Sequence, residues 1–381
     1  MTEALELTKD LIKCRSVTPN NDGAMQVIES FLRGAGFDVE IFECSDPDGW
    51  NVSNLYASFS KGNGPNLAFV GHVDVVPVGD ILNWSSSPFE PSIVDGKLFG
   101  RGASDMKSAI AAFCVAAKSF IMSNDFNGTI SFLITGDEEE GSPQGMRSLI
   151  NWCIKNTKLP NFAIIGEPTS SEKIGDYVNI GRRGSINFKV ISNGTQGHVA
   201  YPEFAHNAIN PMISFLNTIL AKKWDDGDSA FEPTSLEITS ISVDNDVTNI
   251  IPGRAEARFN VRFNNNYTAD SLIALFRDMA SLISSTLEVQ SFPSGDPFVT
   301  DSEKLIDSIK SAIFDVTGIN TCTTTKGATS DGRFLIKYCP LIEFGCCYSS
   351  IHKENEFVNV DDIDVLVNIY TKFLERFFLD N

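Results

Sequence analysis

Four apolar stretches of this chain each run into residues able to bind a metal. They are residues 67–74 (LAFVGHVD), 129–140 (TISFLITGDEEE), 162–168 (FAIIGEP) and 341–352 (LIEFGCCYSSIH). The first ends on His72 and Asp74, the second on Glu138 and Glu139, the third on Glu167 and the fourth on His352. Asp105, in GRGASDMKS, is a further acid at the start of a predicted helix. Together, His72, Asp105, Glu139, Glu167 and His352 are two imidazoles and three carboxylates. That set suits two zinc ions sharing a bridging carboxylate, with a position left for water. Two such ions activate one water and polarise one carbonyl, which is metallohydrolase chemistry.

Singly, each signal is weaker. His72-Val-Asp74 puts both side chains on one strand face, where a carboxylate can orient an imidazole. An aspartate before a helix, like Asp105, is also an ordinary N-cap. The run Asp137 to Glu140 could be a solvated acidic turn. Its mutual repulsion points instead to one acid that binds a cation and an unligated neighbour that acts as general base. Pro168 holds Glu167 in an extended or turn geometry. The chain has only four histidines, and His72, His198 and His352 stand beside glycines or at the ends of apolar runs.

The elements that must position these residues alternate as strand and helix. Helices are predicted at 3–14, 22–36, 106–122, 143–156, 302–316 and 361–378, and strands at 37–43, 52–59, 66–71, 129–135, 162–166 and 339–344. This is an α/β fold with a mostly parallel sheet, and such sheets bind ligands at the carboxyl ends of their strands. The long segment 77–100 reads as a functional loop. After residue 180 the pattern becomes β-α-β-β-α-β, a ferredoxin-like α/β sandwich. The Pro/Gly-rich segment 291–300 reads as the return linker. The predicted organisation is a discontinuous catalytic domain, 1–180 and 295–381, with an inserted domain at 181–294.

The composition is that of a globular chain, with 42% hydrophobic and 21% charged residues among 381. A net charge of −19 argues against nucleic acid and anionic membrane surfaces as partners. The first residues suit an amphipathic helix better than a signal peptide, and no continuous apolar run approaches the ~20 residues of a membrane span. The eight cysteines lack a C-x-x-C pair and read as reduced thiols, so the expected location is cytoplasmic. The G-x-G-x-x-G pattern of a dinucleotide oxidoreductase is not met, because Asp105 takes its sixth position.

The ordered motifs HVD, GRGASDMK, DEEEGS, IGEPT and IHK resemble the di-zinc aminoacylase/carboxypeptidase family of metallopeptidases over nearly the whole chain. The resemblance implies that His72, Asp105 and Glu167 hold one Zn2+, and that Asp105, Glu139 and His352 hold the other, with Co2+ able to substitute. It implies Asp74 as the group orienting His72 and Glu138 as general base, with Glu140 a variable position. It also implies that His198 stabilises the oxyanion across a homodimer formed by the inserted domain. QGHVAYPEFAHNAINP, TSDGRF and HKENE narrow the resemblance to members acting on a small-molecule N-succinyl amino acid of lysine and diaminopimelate synthesis. An anionic substrate needs local cations, and arginine forks match carboxylates. The resemblance favours Arg182 or Arg183, Arg254, Asn249, Thr329 and Ser330 as substrate contacts. Tyr348 stands where such relatives often carry a small or amide residue, which bears on side-chain specificity. Three readings compete with this one: an acetylornithine deacetylase, a dipeptidase, and a catalytically silent zinc-binding protein.

Overall fold

The structure is a computed structural model that describes residues 2–45, 51–139 and 144–380. The chain divides into two compact units. One comprises Met1–Gly181, Thr300–Thr324 and Ser330–Asn381; the other comprises Arg182–Val299 and Thr325–Thr329.

Among its described residues, the first unit holds an eight-stranded sheet. Its spatial order is Asp38–Ser45, Asn51–Lys61, Gly128–Thr135, Asn66–His72, Phe162–Ile165, Leu341–Glu343, Tyr177–Asn179, Cys322–Thr324. The four neighbouring strands from Gly128–Thr135 to Leu341–Glu343 are mutually parallel. They are the four apolar runs that end in metal-binding residues, so those ends emerge side by side at one edge. Strands buried on both faces read as unbroken apolar sequence. Leu67, Ala68, Phe69, Val70, Ile130, Phe132 and Ile164 are all fully buried. Against them lie the helices Ser108–Ser123 and Val360–Leu379. Phe69 stacks on Phe113 at 4.4 Å between ring centroids, Tyr370 meets both edge-on, and Phe132 meets Phe113 edge-on. Each buried ring of this kind contributes about 1.5–3 kcal/mol of transfer free energy.

Some local expectations are corrected. The buried helix begins at Ser108, and Asp105 is neither helical nor an N-cap, with φ −120° and ψ 95°. Segment 77–100 is not all loop: Ser92–Val94 and Lys97–Phe99 form a small sheet with Phe357–Asn359. Residues Ala103–Ser123 together are long and apolar enough to cross a membrane by length and composition, although Asp105, Lys107 and Lys118 interrupt the apolar run. Most of that stretch is buried inside the first unit, where it serves as its core helix. All eight cysteines are free thiols.

The second unit is the expected β-α-β-β-α-β sandwich. Its sheet runs Ser235–Ser242, Arg254–Phe263, Gly184–Asn193, Leu287–Gly295 in space, with every pair antiparallel. Helices Ile209–Ala221 and Ala269–Ile283 pack on one face around Phe188, Phe215, Phe259 and Phe276. Alternate residues of Arg254–Phe263 are therefore buried and apolar, and the others polar. The predicted linker at 291–300 is a strand as far as Gly295. Pro293 is tolerated there because Leu287–Gly295 is an edge strand, with a register shift beside it. Thr325–Thr329 joins this unit through Thr325 Oγ1 donating to Ala230 O (2.6 Å) and Arg182 Nη1 donating to Lys326 O (2.9 Å). Nothing in the local sequence pattern around 325 announces that return.

Candidate metal centre

His72 ends a central strand and is 1% exposed. Its Nδ1 lies 3.0 Å from the main-chain oxygen of Asp74, with the Asp74 carboxylate 3.6 Å away. A carbonyl only accepts, so Nδ1 carries the proton. In the neutral ring, Nε2 is then left to ligate. That Nε2 sits 3.2 Å from Asp105 Oδ1 and 3.7 Å from Glu167 Oε1. His352 Nε2 sits 3.4 Å from Asp105 Oδ2 and 3.0 Å from Glu139 Oε1. Asp105 thus turns one oxygen to each imidazole. His72, Asp105 and Glu167 form one group of converging donors, and Asp105, Glu139 and His352 form a second.

Three local features hold this arrangement. The buried Asp74 carboxylate accepts from Glu138 N (3.1 Å), Glu139 N (3.0 Å) and Thr18 Oγ1 (2.6 Å), so it shapes the turn that carries both glutamates. Asp137 is spent structurally: it accepts from Gln144 N and Gly145 N where the helix Gly145–Lys155 starts. Gly71 and Gly166, each one residue before a donor, leave room for Met106. A Cβ there would meet Met106 Cε at 2.7 and 2.6 Å. Glu140, Gly141 and Ser142 of the acidic motif lie outside the described residues.

The residues fit a divalent metal. Asp105 Oδ1 is buried and lacks a hydrogen bond of good geometry, although His72 is near. His352 is pushed up to about 10, first by its hydrogen bond to Asp105 and then by that to Glu139. Burial opposes charging His72, yet Asp105 and Asp74 outweigh it and hold the ring well above its usual value. The surrounding acids favour the charged form of both imidazoles, and a bound cation would take over that role as the rings lose their protons. Glu138 belongs to neither donor group. Burial, then the charges of Glu167 and Asp331, raise its carboxyl well above the ordinary range. That is the environment of a general base.

Asp331 was not anticipated. It is 3% exposed, and burial pushes it up to about 7 against the pull of Arg333. Its neighbour Ser330 is buried and donates from Oγ to Glu343 Oε1, so it is committed to the scaffold.

In the second unit, His198 lies on a short strand, Gly197–His198, paired with Ile250–Ile251, and Asn249, just before that partner strand, accepts from Val199 N (3.1 Å). Ala200 N donates to His198 Nδ1 (3.1 Å), which places the proton of the neutral ring on the other nitrogen, Nε2. Arg254 is half exposed and paired with Glu256 (3.1 Å). Arg183 reaches Pro233 O, and Arg182 is buried against Lys326 O. Arg262, which sequence reasoning passed over, donates to Thr329 Oγ1 (3.2 Å), with its charge disfavoured by burial and then by Arg183 and Arg182. Three arginines and Thr329 thus form a cationic cluster. Arg254, Arg258 and Arg262 share one face of a strand, so only their tertiary partners distinguish Arg262.

Residues 68–376 match the model of peptidase family M20/M25/M40. The chain belongs to this family and is a metal-dependent hydrolase. It is 44% identical over 377 residues to the succinyl-diaminopimelate desuccinylase of Wolbachia pipientis subsp. Culex pipiens, covering 99% of this chain and 94% of that protein. It is 43% identical over 376 residues to the protein of that name from Gluconacetobacter diazotrophicus, covering 98% and 97%. Among solved structures it resembles the M20 family metallo-carboxypeptidase Sso-CP2 from Sulfolobus solfataricus, with a TM-score of 0.82, 18% identity and 99% of both chains covered. It also resembles Bacillus subtilis YXEP, described as a dinuclear metal binding peptidase from the M20 family, with a TM-score of 0.71 and 14% identity over 97% and 96% of the chains. At these identities the structural likeness establishes the fold.

Proposed function

We propose that this protein hydrolyses the amide bond of N-succinyl-L,L-2,6-diaminopimelate to succinate and L,L-diaminopimelate, in lysine and diaminopimelate synthesis. The observation that carries the metal chemistry is Asp105, whose two carboxylate oxygens face two different imidazoles. The substrate rests on the 44% identity to a desuccinylase over 99% of the chain. His72, Asp105 and Glu167 hold one zinc ion; Asp105, Glu139 and His352 hold the other, and cobalt substitutes for zinc. When bound, the two ions acidify a water and polarise the scissile carbonyl.

Glu138 accepts the proton of the attacking water. Its raised affinity for protons suits it to that step and to returning the proton to the leaving amine. Asp74 keeps Glu138 and Glu139 in register by binding both their amides. His198 donates from Nε2 to the developing oxyanion, from the other subunit of a homodimer built through the second unit. Arg182 or Arg183, with Arg254, Asn249 and Thr329, recognises the substrate, Arg262 joins them by virtue of its bond to Thr329, and Ser330 supports the site through Glu343 rather than by its own hydroxyl. Clustered guanidinium groups answer the problem of an anionic substrate on a chain of net charge −19. The reading includes a cytoplasmic location.

The test is hydrolysis of N-succinyl-L,L-diaminopimelate beside N-acetylornithine by zinc-loaded protein. Strong preference for the succinyl compound is expected, and preference for the acetyl compound would reject the substrate. Glu138→Ala is expected to abolish turnover with the zinc content unchanged. Loss of zinc in that variant would mean that base and ligand are exchanged.

A further inference from the structure

Glu356 is 1% exposed and lies four residues after His352. It belongs to neither donor group. Its carboxylate takes four hydrogen bonds, two on each oxygen. Oε2 accepts from Arg101 Nη1 (3.0 Å) and Gly102 N (2.9 Å). Oε1 accepts from Ser104 N (2.9 Å) and Asp105 N (3.0 Å). Arg101, itself buried, donates onward to Lys353 O (3.0 Å) and Pro77 O (3.2 Å). Ser104 Oγ donates to Cys347 O (2.7 Å). The segment that supplies His352 therefore grips, along its backbone, the segment that supplies Asp105.

This grip matters because nothing regular holds Asp105. It and Met106 have non-helical dihedrals, so no helical ladder fixes their amides. His352 has φ +59°, a conformation that a non-glycine residue keeps only when its surroundings enforce it. His72, by contrast, is fixed by a central strand and by the Asp74 carbonyl. A fully hydrogen-bonded buried carboxylate set among converging amides is a rigid anchor.

We propose that Glu356, with Arg101, is the positioning residue that sets the reach between Asp105 and His352, and so selectively sets metal affinity at the Asp105–Glu139–His352 group. This rests on the metal-centre reading above. The His72–Asp105–Glu167 group depends on the clamp less, because His72 ends one central strand and Glu167 follows two residues after the end of another, Phe162–Ile165.

Glu356→Gln tests it. A glutamine keeps one acceptor oxygen and turns an NH2 group toward one of the two donor pairs. Metal-free wild type and variant are titrated with Co2+, following cobalt absorption and competition with a chelator, and folding is checked by thermal melting. Wild type is expected to bind two ions. The variant should bind one of them about 10- to 100-fold more weakly, the usual effect of losing a partner that orients a ligand, and the other within a few-fold. Equal affinities in the two proteins, or equal weakening of both sites, would overturn the inference. A wild type that takes up no cobalt would instead reject the metal-centre reading. If Glu356→Gln does not fold, Arg101→Lys keeps a cation beside Oε2 but cannot span to Lys353 O and Pro77 O. It should weaken the same single site several-fold, and unchanged binding in that variant would also overturn the inference.

Discussion

Replacing Asp74 by asparagine separates the role of its charge from the role of its shape. The carboxylate is fully buried and serves Glu138 N, Glu139 N and Thr18 Oγ1. An asparagine NH2 at the Oδ1 position would face Glu138 N–H. At the Oδ2 position it would face Glu139 N–H, while the Thr18 hydroxyl could turn round to accept. In either orientation one main-chain donor of the glutamate turn loses its acceptor. An unsatisfied buried donor costs about 1–3 kcal/mol. If that cost falls on the placement of Glu138 in the transition state, kcat drops by about 5- to 150-fold. Urea unfolding of the metal-free proteins measures the stability loss, and steady-state hydrolysis at saturating zinc measures the rate. Stability within about 0.5 kcal/mol of wild type, together with an unchanged kcat, would refute the view that Asp74 shapes the catalytic turn.

Other consequences can be checked directly. Gly166→Ala would drive a Cβ to 2.6 Å from both Met106 Cε and Phe69 Cζ, and overpacking of this kind costs about 1–3 kcal/mol in denaturant unfolding. Melting as wild type would show that Met106 is free to move aside. Asp331 binds its proton more tightly when folded (about 7) than when unfolded (about 3.9), so its contribution to stability falls as pH rises across that window. In metal-free Asp331→Asn that slope should flatten, with a relative gain at pH 8 of at least about 1 kcal/mol; parallel melting-temperature profiles would contradict this. His198→Ala should lower kcat about 100-fold or more with zinc content intact, as loss of an oxyanion donor does, and a near-normal kcat would remove the residue from that role.

Much of the metal centre was legible in the chain. Parallel strands covered on both faces must be apolar throughout, so a donor at the end of such a run marks the carboxyl edge of the sheet. His72, Glu139, Glu167 and His352 were all visible on that ground. The sandwich of the second unit was equally visible, because alternation along 186–192 and 255–263 reports one buried face. Pro293 misled because a proline argues against a strand in general, whereas an edge position, which depends on which strands pair, removes the objection.

What the sequence determined by itself is burial, periodicity and the supply of donors. Residue types and spacing did not determine which donors meet; the family resemblance implied two groups, and the same residues converge in the structure. Taken singly, Asp105 also read as an ordinary helix cap; the structure shows its amide held by Glu356 and its two oxygens facing two imidazoles. The Arg101–Glu356 pair joins residues 255 positions apart, and Arg262 differs from Arg254 only in what lies beside it. Local pattern records the environment of each residue along its own strand or helix. Hydrogen bonds and ion pairs between distant segments depend on how those segments pack, and that was decided by the tertiary structure.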